Sequence, residues 1–227
     1  MNSIAEVFRD LDWSVPLRLL LQAVPALLCI MVHEISHGLA AYALGDRTAK
    51  EQGRLSLNPL RHIDWIGLAM LLLFHFGWAK PVQVDMRHFR HPKRDMAITA
   101  LAGPASNFVL AILFLFLYGL LYSPCTGSFL GGWLLALLNS TVYLSIALGL
   151  FNLIPFPPLD GSKILFSFLP DRVYVRFMML ERYGMVVLIV LVLLLNRVFT
   201  VSPIQTATEA VYRFLFPLAQ WANSLTL

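Results

Sequence analysis

"LRLLLQAVPALLCIMVHEISHGLAAYAL", residues 17–44, is long and apolar enough to cross a bilayer, yet its second half carries His33, Glu34 and His37. A helical span needs about 20 predominantly apolar residues, so the stretch reads as a first transmembrane helix. A carboxylate and two imidazoles are expensive in hydrocarbon, and ionisable groups at that depth need partners. His33 and His37 are four positions apart, which on a helix sets both rings on one face, one turn from each other. Both ring nitrogens can then reach one Zn²⁺, with Glu34 beside the metal's open position as a general base. A metal also offsets the cost of burial, because it pairs the charge that the membrane penalises.

Composition agrees with that solvent. The chain has 227 residues, 58% of them hydrophobic and only 13% charged, with a mean hydropathy of +0.71. Soluble domains carry about 25% charged residues, so the expected class is an all-α polytopic membrane protein. The net charge of +4 suits a chain beside anionic lipid, and nothing in the pattern suggests a nucleic-acid partner. Residues 1–16, "MNSIAEVFRDLDWSVP", lack the basic start and small-residue cleavage site of a signal peptide. Cys29 and Cys125 stand alone without a CxxC and read as small buried hydrophobes. The length fits a single domain over residues 1–227.

The remaining spans follow from charge. Met96 to Leu159 is a run of 64 residues without Asp, Glu, Lys, Arg or His. It holds two spans, about 97–121 and 133–153, joined by the Pro, Gly and Ser of "YSPCTGSFLGG". A fourth is expected over Tyr183–Thr200, where "GMVVLIVLVLLL" is the most lipid-like run. Residues 203–227 mix Glu209, Arg213 and Pro217 among aromatics and read as a C-terminal interfacial helix. "WIGLAMLLLFHFGWA", residues 65–79, is short for a span and has basic residues on both flanks. Short basic loops stay cytoplasmic, so this segment is expected to enter and return as a re-entrant, β-hairpin-like element. Residues 72–84 would then offer an edge to which an unwound peptide adds as a strand. The same rule puts the N-terminus and the loop at 122–132 outside, and the loop at 161–182 inside. About four transmembrane helices result.

A catalytic zinc expects three protein ligands plus water. His62, His88 and His91 lie in the basic loop, where solvated surface is the expectation, and His75 sits between phenylalanines in the hairpin. Asp160 is the outstanding third ligand. It follows "FNLIPFPP", whose prolines must end the preceding helix, and Gly161 lets the chain turn closely behind it. A carboxylate held there can face His33 and His37 across the bundle.

"VHEISHG", "LSLNPLRHIDWIG", "FGWAKPVQVDMRHFRHPKRDM", "AGPASNF" and "FNLIPFPPLDG" together resemble the prokaryotic site-2 protease family of intramembrane zinc metalloproteases. The similarity runs from about residue 30 to 170, with a catalytic core of about 17–170, and Trp65 stands where relatives often have proline. The resemblance implies one Zn²⁺ per chain on His33, His37 and Asp160, Glu34 as the catalytic glutamate, and Asn152 holding substrate or the oxyanion. It implies hydrolysis of peptide bonds in or near transmembrane segments of membrane-bound regulators, at a site opening toward the cytoplasmic side of the plasma membrane. No PDZ or CBS domain is expected within this length, and a homo-oligomer is among the states allowed. Gly103, Pro104 and Asn107 are expected to serve close helix approach and a polar contact between spans. A zinc transporter would need ionisable residues lining a path between both faces, whereas here the outer half is nearly uncharged. A catalytically silent substrate-binding protein would have lost Glu34 or a ligand, and all are present.

Overall fold

The computed structural model describes residues 14–62, 64, 67, 80–174, 183–191 and 203–227. Its frame is three long helices, α1 (Ser14–Ala43), α2 (Pro92–Cys125) and α3 (Phe129–Asn152). Each is long and apolar enough to cross a membrane, and no other described helix is. Among the described residues every regular element is helical and there is no strand. Large apolar side chains on the outward faces, such as Val109, Ile112, Leu113 and Leu134, stay exposed, as a lipid-facing surface requires.

Lipid is as apolar as leucine, so contact between the spans rests on packing and on interhelical hydrogen bonds. Leu115 of α2 and Val142 and Ile146 of α3 are fully buried in the principal cluster, with Ala111 letting the backbones close in. Pro104 lies inside α2 and lacks the N–H that would bond four residues back.

The turn between α2 and α3 is tighter than expected. Instead of a loop over 122–132, α2 continues through Pro124 to Cys125, and only Thr126–Ser128 intervene. Pro124 has no N–H to donate to the Leu120 carbonyl, and the helix ends one residue later. Gly127 takes a positive φ of 93°, and the Ser128 hydroxyl accepts from the Gly131 N–H at 3.0 Å as the N-cap of α3.

The single C-terminal interfacial helix expected from the sequence is two helices, α5 (Pro203–Leu215) and α6 (Pro217–Ser224), with α4 (Asp160–Phe166) preceding them. Pro217 explains the break, because it cannot donate to the preceding turn and is preset for the first turn of a new helix. Both helices dock on the spans. Ala219 packs into the α2–α3 core, and a Cβ on Gly119 would lie 2.2 Å from the Ala219 carbonyl oxygen. The Tyr212 hydroxyl donates to Asn139 Oδ1 at 2.6 Å.

Of the fourth expected span, residues 183–191 are helical and 192–200 lie outside the described residues. Of the expected re-entrant hairpin at 65–79, only Gly67 is described; residues 80–85 follow without regular structure. His62 departs from the expectation of solvated surface. It is buried, with Nε2 2.8 Å from the Ser56 carbonyl. His88 and His91 are exposed on average, as a basic loop predicts, although His88 Nδ1 meets Asp46.

Candidate metal centre

The second half of α1 meets the first third of α2 and the start of α4. On α1 the i, i+4 spacing stacks the His33 and His37 rings edge to face, 4.5 Å between centroids. The chain leaves α3 at Asn152 and passes the Pro155, Pro157 and Pro158 segment before α4 begins at Asp160. Gly161 makes that close return possible: a Cβ there would lie 2.2 Å from the Leu153 carbonyl oxygen. The Asp160 carboxylate is directed at the histidines. Its Oδ2 is 3.1 Å from both His33 Nε2 and His37 Nε2, and the two nitrogens are 3.0 Å apart. All three residues are buried.

The protons in this cluster are constrained by the outer ring nitrogens. His37 Nδ1 lies 2.7 Å from the Thr99 backbone carbonyl. A carbonyl can only accept, so Nδ1 carries the hydrogen and Nε2 of the neutral ring offers a bare lone pair. That lone pair faces the Asp160 carboxylate, another acceptor. Two acceptors about 3 Å apart repel unless a proton or a metal ion lies between them. Tetrahedral ligands about 2.0 Å from a zinc sit roughly 3.3 Å from each other, close to the spacing of these three atoms. The donor set therefore fits a zinc ion, and His33, His37 and Asp160 are the residues that could hold it.

Three consecutive turns of α2 make the wall behind the rings. Thr99 supplies its carbonyl to His37, and Asn107 sets its amide 3.0 Å from His33 Nδ1. Between them Gly103 presents no side chain. A Cβ there would sit 2.4 Å from His37 Nε2 and 2.7 Å from His33 Cε1. Reading the sequence assigns Gly103 and Asn107 to helix approach and an interhelical polar contact, and misses that both act on the histidines. The Thr99 carbonyl carries no side-chain signal at all.

Glu34, half-buried, lines the same cavity of about 390 Å³. Its Oε2 accepts from the Val82 N–H at 2.8 Å, which ties the α1 helix to the 80–89 segment. Asn152 also lines this cavity, but its amide donates to the Leu148 carbonyl of its own helix at 3.0 Å. Lys163 lies at the cavity edge, Nζ 4.0 Å from Asp160 Oδ1. Cys29, one turn before His33, is not part of the cluster; its Sγ packs 3.1 Å from Ser145 Oγ.

A second carboxylate, Asp46, was not singled out by its sequence context and has no exposed surface. Its Oδ1 accepts from the Thr48 N–H and hydroxyl at 3.0 and 2.5 Å and from His88 Nδ1 at 3.0 Å. Its Oδ2 accepts from the Asp85 N–H at 2.8 Å. Burial pushes this carboxyl up, yet the bonds from Thr48, Asp85 and His88 together hold it below its ordinary value. The signal was an Asp two residues before a Thr at a helix end, the pattern of a side chain closing its own turn.

Known proteins are similar to this chain. The Bacillus subtilis (strain 168) protein "Putative zinc metalloprotease YwhC" is 39% identical over 163 residues, 70% of this chain and 74% of that one. The family model for Peptidase family M50 matches residues 125–195. The chain belongs to peptidase family M50, the site-2 proteases. "Putative zinc metalloprotease Rip2" of Mycolicibacterium smegmatis is 29% identical over 199 residues, 86% of this chain and 70% of that one. No solved structure matches the chain. As an M50 peptidase it is an intramembrane zinc metalloendopeptidase, and the apolar helices are those of a membrane protein.

Proposed function

We propose that this M50 peptidase binds one zinc per chain through His33, His37 and Asp160, and that Glu34 is its general base. The observation that carries this reading is the convergence of His33 Nε2, His37 Nε2 and Asp160 Oδ2 within 3.1 Å of one another, with His37 held in its Nδ1–H form by the Thr99 carbonyl. Zinc bound there supplies Lewis acidity, polarising the scissile carbonyl and making water acidic enough to lose a proton near neutral pH. Glu34 takes that proton as the water oxygen bonds to the peptide carbon. It returns the proton to the amide nitrogen as the C–N bond breaks, so the products are a carboxylic acid and an amine. Asn152 turns its amide from the Leu148 carbonyl toward the substrate and donates to the developing oxyanion or to the substrate backbone. The Val82 N–H holds Glu34 in one orientation before substrate arrives.

The substrates are transmembrane segments of membrane-bound regulatory proteins, cut within or near the bilayer. A membrane helix hides its scissile bond because every backbone group is paired within the helix, so substrate must unwind locally before it meets Glu34. The end of α1 and the start of α2, which carry His37 and the Thr99 carbonyl, flank the basic stretch from Arg47 to Arg94. That supports a cavity opening on the cytoplasmic face of the plasma membrane. One domain, with its catalytic core at about 17–170, carries the activity.

The test is purified protein with a panel of single-span membrane substrates, with and without a zinc chelator. Cleavage should require zinc. Glu34→Gln should abolish cleavage while keeping full zinc occupancy, since the amide cannot take the proton and is not a ligand. Cleavage by Glu34→Gln at the wild-type rate would exclude Glu34 as the base.

A further inference from the structure

We propose that the groove between the charged end of α2 and the end of α4 is a binding site for an anionic phospholipid. The groove has a volume of about 910 Å³ and lies beside the cavity around Glu34, with Met86 the one described residue common to both linings. One wall is α2, with Lys93 and Arg94 at the mouth and Ile98 and Leu101 deeper. The other has Asp171 at the mouth, with Phe168 and Ile164 of α4 deeper. Lys93 Nζ meets Asp171 Oδ1 at 2.9 Å, which aligns the two charged ends. Both walls therefore change from charged to apolar in the same direction. Lys93, Arg94 and Asp95 are also the last charged residues of α2 before the uncharged run from Met96, so this change falls at the edge of the hydrocarbon.

The apolar surface continues past Leu101. Ile98, Leu101, Val109 and Ile112 are all exposed and, at i, i+3, i+11 and i+14, share one face of α2. That stripe is about 21 Å long. It exceeds the roughly 15 Å half-thickness of a hydrocarbon core, so it can line a whole acyl chain. Charge then selects the headgroup. Arg94 is engaged along one edge, its Nε and Nη2 on Asp95 Oδ1, and its side chain is 64% exposed. A guanidinium has five N–H donors, which leaves Arg94 able to hold a phosphate as well. Lys93 is drawn over the Tyr174 ring by Asp171 and the Leu169 carbonyl. Asp171 is 88% exposed, and an ion pair of that kind is weak enough for a phosphate to compete with it. Basic pockets at the ends of membrane helices suit anionic headgroups, whereas a choline headgroup brings a second cation toward Lys93 and Arg94. A substrate segment fits less well, because the groove opens onto the lipid-facing stripe and a peptide bond in it lies outside the cavity around Glu34.

The delipidated, zinc-loaded protein can be titrated with dioleoylphosphatidylglycerol or dioleoylphosphatidylcholine, and the retained lipid counted by native mass spectrometry. The first phosphatidylglycerol should bind about tenfold more tightly than phosphatidylcholine, or better. At about fivefold per basic side chain, Lys93→Gln with Arg94→Gln should weaken it by about 10–30-fold. Lys50→Gln, which removes a charge held elsewhere against Tyr42, should bind like wild type. Asp171→Asn removes the carboxylate that competes for Lys93 and should tighten phosphatidylglycerol binding by about threefold or more, a gain that misfolding cannot produce. Equal affinity for the two lipids, equal losses in Lys50→Gln and the double variant, or no gain in Asp171→Asn would overturn the proposal. So would displacement of the lipid by inorganic phosphate, which would make the groove an ion site, or by an acidic single-span peptide, which would make it a substrate site.

Discussion

Gly103 sits where neither a methyl group nor a larger side chain can. With a Cβ 2.4 Å from His37 Nε2, Gly103→Ala must push the rings off Asp160 or push α2 off α1. We expect zinc per chain to fall by more than tenfold while helix content by circular dichroism stays near wild type. Retained zinc would mean that the rings can shift without losing the metal. At this scale the sequence was most informative where geometry is local. The HExxH spacing places two imidazoles on one helix face whatever the rest of the chain does. Asp160 stood out as a carboxylate directly after 64 uncharged residues and a proline-rich helix end. Gly103 and Asn107 were visible as an interhelical motif but not as partners of particular atoms, because docking decides which face of α2 meets which turn of α1.

The 80–89 segment has no regular structure beyond the short 3₁₀ turn Met86–His88, so the packing of Phe89 against Ala41 and Met96 and single side-chain bonds hold it. Asp46 binds it through Asp85 and His88, and Glu34 through Val82. The folded-state value of Asp46 is depressed. Its contribution is therefore present above the unfolded carboxylate value, near 3.9, and is lost as pH falls through the folded value. Amide protection at Asp85, corrected for the intrinsic exchange rate, should be complete above about pH 4 and decline progressively below it, as pH falls toward the depressed folded value. Asp46→Ala strands the Asp85 N–H and His88, and should destabilise the segment by about 1–3 kcal/mol. Faster exchange at residues 82–88 would report it. Val82→Pro removes the donor to Glu34 and should lower cleavage severalfold without reducing bound zinc. A charged residue beside a basic loop reads as surface in sequence, and only the return of Asp85 to Asp46 shows it buried. The expected β-hairpin-like element falls mainly on residues 65–79, nearly all outside the described residues, and 80–84 form no strand.

Across the molecule, apolar length and the absence of charge located α1, α2 and α3 well, because a span must be both long and uncharged. The C-terminal pair was harder to read, since docking on the spans rather than hydropathy gives it its place. Tyr212→Phe, which strands Asn139 in apolar surroundings, should lower stability by about 0.6–1.7 kcal/mol and leave zinc binding unchanged. Cysteines at 50 and 90 should be labelled from the cytoplasmic side and one at 127 from the other. Opposite accessibility of 50 and 90 would mean that residues 65–79 cross the membrane. The whole arrangement serves to bring the second half of α1 to the start of α4, and X-ray absorption at the zinc edge reads that meeting directly. The purified wild-type protein should show two imidazoles among nitrogen and oxygen ligands at about 2.0–2.2 Å, and Asp160→Ala should lose most of its zinc. A spectrum with sulfur at about 2.3 Å, or full occupancy in Asp160→Ala with an unchanged ligand shell, would contradict zinc held by His33, His37 and Asp160.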